Sequence, residues 1–138
     1  MILSKQLHIF LLYARSDQEI VHRLYRRLVK RGADVWFDQE KLLPGQGWEK
    51  EIHKAIQGSD IVIVCLSEQF NQQGGYRHEE LRVALERANS LPEEDIFLIP
   101  ARLEPCDTPE PLRRWQRVDL YEAAGFKKLI STLSNVSH

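Results

Sequence analysis

A chain of 138 residues, 43% hydrophobic and 28% charged, has the size and composition of one globular domain with a single sizeable core. Its formal net charge of -1 supplies no general field to draw it to nucleic acid or anionic lipid, and no apolar run approaches the length of a membrane span. Two cysteines without CxxC spacing and five scattered histidines argue against a disulfide framework or a zinc site, so a reducing, cytoplasmic compartment is expected.

Leu7 to Tyr13 is an apolar run short enough for a buried strand. Ser16-Asp17 then offers a cap, and Ile20, Leu24 and Leu28 recur at i, i+4 and i+8, which predicts a helix stopped by Gly32. The same segment carries Arg23, Arg26, Arg27, Lys30 and Arg31 at helical spacing, read as a solvated helix face and not as a nucleic-acid footprint. Asp34 to Phe37 is a second short strand, followed by a loop from Asp38 to Gly47 and a helix with Ile52, Ala55 and Ile56 on one side, closed by Gly58. Ile61 to Leu66 is apolar on both faces, as a central parallel strand should be, with Cys65 as a small core residue. The next helix carries Leu81, Ala84, Leu85 and Ala88. A fourth strand is expected over Ile96 to Leu103, a fifth over Arg117 to Leu120, and a closing helix shows Phe126, Leu129, Ile130 and Leu133.

Strands separated by single helices predict right-handed crossovers and an α/β fold. The expected architecture is a flavodoxin-like three-layer sandwich, a five-stranded parallel sheet with helices on both faces. Such sheets bind ligands beyond the carboxyl ends of their strands, so a site is expected after Leu12, Phe37 or Leu66. The commonest chemistries of this architecture are missing. The glycine-rich Leu43-Pro-Gly-Gln-Gly-Trp48 has no following Lys to reach a phosphate, and Tyr13-Ala-Arg-Ser-Asp17 stands where a dinucleotide-binding GxGxxG would be. A phospho-receiver would need an Asp after the third strand, where Ser67 stands.

Three segments, in order and at the right spacing, resemble the Toll/interleukin-1-receptor (TIR) family. Ile9-Phe-Leu-Leu-Tyr-Ala-Arg-Ser-Asp17 is similar to the family's opening box, with Leu12 where Ser is usual. Val35-Trp-Phe-Asp-Gln-Glu-Lys-Leu-Leu-Pro-Gly-Gln-Gly-Trp48 resembles the second strand and the so-called BB loop. Leu66-Ser67, followed by Tyr76-Arg-His-Glu-Glu80-Leu81, looks like the helix that carries the NAD-cleaving glutamate of bacterial members.

The resemblance implies a single TIR domain over residues 1-138, the N-terminal effector domain of a longer protein in immune or antiphage signalling. It implies cleavage of NAD+ as substrate, with no cofactor or metal. Glu80 would be catalytic, with the aromatic Tyr76 four residues before it on the same helix face, where many members have Trp. Glu79 is the neighbouring competitor, about a quarter-turn away, and His78 beside it reads as a surface histidine. Glu40 would be a loop acid near the ribose, Tyr13 and Arg15 would line the mouth of the first strand, and Trp48 would pack on the loop or a neighbouring subunit. Implied partners are NAD+ and other copies of the domain, through the loop Asp38-Gly47, in oligomers or filaments; no nucleic acid or membrane is implied. A non-catalytic scaffold is the alternative, and a nucleoside-transferring enzyme with a covalent carboxylate is a third reading.

Overall fold

The computed structural model describes residues 3, 6-37, 43-72 and 78-136, with the backbone alone for His78. Five strands, β1 (His8–Leu12), β2 (Asp34–Trp36), β3 (Ile61–Leu66), β4 (Leu98–Arg102) and β5 (Val118–Asp119), form one sheet in the order β2-β1-β3-β4-β5. Every neighbouring pair is parallel, as the short strand-helix alternation predicts. The helices are α1 (Gln18–Lys30), α2 (Trp48–Gln57), the short α3 (Glu68–Asn71), α4 (His78–Ser90) and α5 (Gly125–Ser134).

The period of two along the strands sorts their side chains into two cores. Ile9 and Leu11 of β1 and Ile61, Ile63 and Cys65 of β3 face a layer built from α1 and α5. Phe10 and Leu12, with Val62, Val64 and Leu66, face the layer of α2, α3 and α4. All six residues of β3 are buried, which confirms the central strand and the three-layer sandwich. Among the described residues no helix is long and apolar enough to cross a membrane.

Local details differ from the sequence pattern. Val21, not Ile20, shares the inner stripe of α1 with Leu24 and Leu28; Ile20 is 37% exposed. Spacings of i, i+3, i+7 and i, i+4, i+8 both fit one helix face, and only the rotation of the helix on the sheet chooses between them. A 3-10 turn over Arg15–Asp17 precedes α1, and the Asp17 side chain makes no cap bond to the helix. Its carboxylate is engaged elsewhere, as described below. Gly32 has the expected positive φ of 94°, and stops α1 where a side chain would be strained. α3 and a 3-10 turn over Glu110–Leu112 are too short to show the periodicity that announces a helix, and the sequence reading assigns no element to either stretch.

β5 is held against α5 by a close approach at Gly125. A Cβ added there would sit 2.0 Å from the carbonyl oxygen of Asp119, a backbone atom with little room to yield. Gly125→Ala is therefore expected to destabilise the domain by about 2 kcal/mol or more. Urea denaturation measures this as a lower midpoint at unchanged slope.

Candidate functional site

The chain leaves the carboxyl edge of the sheet in opposite directions after β1 and β3, since β2 lies on one side of β1 and β3 on the other. Residues 13-17 emerge there after β1, Ser67 and α3 after β3, and residues 103-106 after β4. Side chains tie these segments together. The Ser67 hydroxyl donates a short hydrogen bond to Asp17 and accepts one from the Phe70 N–H at 3.0 Å, so one oxygen caps α3 and anchors the β1 loop. The Glu68 N–H donates to Glu104 at 3.0 Å, and the Asn71 side-chain amide donates to the Asp107 carbonyl at 2.7 Å. Burial raises the Asp17 carboxyl above its ordinary value; the Ser67 bond opposes that rise and nearby Glu104 adds to it.

The β4 and β5 ends are joined by Arg102. Its Nε and Nη2 donate to the two carboxylate oxygens of Asp119 at 2.6 and 2.9 Å. Two further bonds reach the Cys106 carbonyl and the Tyr121 hydroxyl, each at 2.8 Å. This bidentate pairing holds the Asp119 carboxyl below its ordinary range.

α4 starts on this same edge, because it must return from the carboxyl end of β3 to the amino end of β4. Its first turn carries both candidate glutamates. Glu80 is 3% exposed, the one charged residue buried among the described residues, and lies beside buried Leu81 and Ala84. Glu79 is exposed, donated to by the Arg82 guanidinium at 2.6 Å and near His53 of α2 at 3.7 Å. The Arg82 bond lowers the Glu79 carboxyl. One residue of helical advance turns the two acids to different environments, one in solvent and one in the core layer.

The remaining sequence candidates do not all gather around Glu80. Tyr13 packs on the α1 side of the sheet, its ring 5.2 Å from that of Phe37, whereas Glu80 belongs to the opposite helix layer. Phe37 is also stacked by His22 and Tyr25, so Tyr13 is part of an aromatic cluster. Arg15 is exposed in the 3-10 turn, and Trp48 is half exposed at the start of α2. Glu40 and Tyr76 lie outside the described residues, as do Asp38 to Leu42 of the loop. Ser67, Asp17 and Arg102 were not singled out as site residues. The Ser-Asp bond spans 50 positions, and no local pattern announces it.

The fold and this edge define a flavodoxin-like α/β domain without a phosphate loop, whose buried acid opens the helix after the central strand. The chain belongs to the TIR domain family, whose profile matches residues 9–130. It is 29% identical over 119 residues to the uncharacterized protein y4cD of Sinorhizobium fredii, a match that covers 85% of this chain and 18% of that protein's length. In fold it is similar to the TIR domain of the Toll-related receptor TRR-2 from Hydra magnipapillata (TM-score 0.73, 20% identity, 94% of this chain and 100% of that one). It is also similar to a metazoan TIR-STING receptor from C. gigas, solved with 2′,3′-cGAMP (TM-score 0.75, 20% identity, 99% and 43%). A third likeness is to the TIR domains of the activated Roq1 resistosome (TM-score 0.61, 22% identity, 94% and 74%).

The Ser67-Asp17 bond has a pH signature. Ser67→Ala removes a donor that favours the ionised carboxylate, so the folded-state value of Asp17 should rise further above its unfolded value. The stability deficit of the variant is then largest at neutral pH, about 1-2 kcal/mol. It shrinks as pH falls through the raised value, where the carboxyl is protonated in both proteins. A remainder from the lost α3 cap persists at all pH. Denaturation midpoints between neutral and acid pH would show this convergence.

Proposed function

We propose that this domain is an NAD+ glycohydrolase of the bacterial TIR type, switched on by self-assembly, with Glu80 as its catalytic residue. The observation that carries the reading is the burial of Glu80 next to an exposed Glu79. A carboxylate held out of water is costly, and such groups concentrate where chemistry uses them. The first turn of a helix offsets part of that cost, because the partial positive charge of its free N–H groups faces the anion.

One acid suffices for the reaction. Breaking the nicotinamide–ribose bond sends its electron pair to the pyridinium nitrogen, so nicotinamide leaves as a neutral base and needs no proton. Glycosidases need a second carboxyl group because their leaving oxygen is poor. A single anion beside the ribose holds its hydroxyls and stabilises the positive charge that develops on the sugar. Water then adds at the freed carbon and loses a proton, giving ADP-ribose; attack by a nucleophile of the same molecule gives a cyclic isomer instead. Tyr76 would stack on the nicotinamide, Glu40 would approach the ribose, and Arg15, exposed at the mouth of β1, would pair with the pyrophosphate.

Assembly is supported by the surface around the loop after β2. Leu43 is 64% and Trp48 50% exposed, large apolar side chains held in solvent at the end of this loop. We infer that copies of the domain associate through the loop Asp38-Gly47 and that dilute monomer is nearly inactive. The same exposed residues favour a second reading, a scaffold that binds other TIR domains without catalysis.

The test is nicotinamide release from NAD+ by domain tethered at high density, with Glu80→Gln and Glu79→Gln alongside. The expected result is release that falls about 100-fold or more in Glu80→Gln. It should stay within a few-fold in Glu79→Gln, and dilute monomer should be far slower than the tethered form. No release from confirmed assemblies, or equal rates for wild type and Glu80→Gln, would overturn the enzyme and leave the scaffold.

A further inference from the structure

The net charge of -1 conceals a separation of charge between two surfaces. α1 turns Val21, Leu24 and Leu28 into the core, and the helical step brings Arg23, Arg26 and Lys30 together on the opposite, solvent side. The only acid on this helix is Glu19, in its first turn. Among the described residues none of the three cations has a carboxylate at ion-pair distance, whereas Arg27 is engaged over the Phe126 ring at 3.6 Å. The counterpart lies between α4 and β4. Glu93, Glu94 and Asp95 are all exposed in a turn closed by the Asp95 N–H on the Pro92 carbonyl at 3.0 Å. They too have no cationic partner among the described residues.

Val29, at the border of the basic face of α1, is 43% exposed, and Ile96, directly after the acidic turn, is 38% exposed.

We propose that the α1 face of one copy of this chain receives the 93-96 turn of the next copy. This deepens the assembly part of the proposed function, on which it rests, and is independent of whether the domain cleaves NAD+. The two surfaces do not overlap: α1 covers one face of the sheet, and the turn follows a helix of the other layer at the amino ends of the strands. Each copy therefore donates a turn and receives one at the same time. A contact of this head-to-tail kind closes into a ring or grows into a filament. Symmetric pairing of α1 on α1 is opposed by like charge. The contact is separate from the loop around Trp48, so the two interfaces act together in one assembly.

The experiment is a charge swap read by sedimentation velocity at high protein concentration, in about 0.02 M and about 0.5 M salt. One variant carries Arg23→Glu, Arg26→Glu and Lys30→Glu; the other carries Glu93→Lys, Glu94→Lys and Asp95→Lys. Wild type should sediment as assemblies at low salt and as smaller species at high salt. Each variant alone should associate at least tenfold more weakly than wild type, keeping only what the loop after β2 supports, with an unchanged circular dichroism spectrum, and an equimolar mixture should recover wild-type assembly. If a reversed variant does not fold, Arg23→Gln, Arg26→Gln, Lys30→Gln replaces it, with association expected at least tenfold weaker. Assembly by either variant alone at wild-type strength would overturn the proposal, as would a mixture that associates no more strongly than either variant alone. So would a wild type that remains monomeric and instead binds a short DNA or phosphatidylserine vesicles through the same arginines. Nicotinamide release by tethered domain is scored separately: inactive domain that still shows the charge-swap pattern sinks the enzyme and leaves this interface standing.

Discussion

Strand β3 has no side that faces water, and its six buried residues set the terms for the rest of the domain. A strand apolar on both faces needs a helix layer on each, so α1 with α5 and α2 with α4 must be sorted to opposite sides. Its pairing with β1 on one edge and β4 on the other fixes the order β2-β1-β3-β4-β5. That order makes the chain part in two directions beside β1, and it delivers the helix carrying Glu79 and Glu80 to the carboxyl edge. The geometry of the candidate site is thus a consequence of burying one short segment, Ile61–Leu66.

The acids around that edge are treated in different ways. Asp119 is held ionised by two guanidinium bonds from Arg102, which also reaches the loop after β4. Asp17 is half-buried and relies on a single hydroxyl, and its carboxyl is raised. Glu79 is solvated and paired with Arg82 on its own helix. Only Glu80 is turned into the apolar layer. The first three knit loops or a helix surface together and need no ligand to account for them. Glu80 is distinguished from them by its burial, which is what the proposed catalytic role rests on.

Catalysis and association are linked in the proposed reading by the loop after β2, which would bring Glu40 to the ribose and would also meet the neighbouring copy. Exposed Leu43 and Trp48, together with a basic helix and an acidic turn on separate sides, give each copy several ways to meet a neighbour. Contacts between exposed charges are individually weak and screened by salt, so they favour association that forms at high local concentration and reverses on dilution.

The elements and their order were legible in the chain because each is recorded locally. Ile61 to Leu66 is apolar at every position, Leu24 and Leu28 recur at helical spacing, and Gly32 stands where a left-handed stop is needed. The three TIR-like segments were legible for the same reason, as short stretches at fixed spacing. Spacing from Tyr76 also pointed to Glu80, but Tyr76 is outside the described residues, and what separates Glu80 from Glu79 in the structure is burial. Rotation of α1 on the sheet decided that Val21 and not Ile20 enters the core. Packing across 50 residues decided that Asp17 serves Ser67 instead of capping its own helix. Folding likewise put Tyr13 on the far side of the sheet from Glu80. Periodicity along a chain reports which side of an element is apolar; which side chains meet depends on how the elements stack, and that is set by the core as a whole.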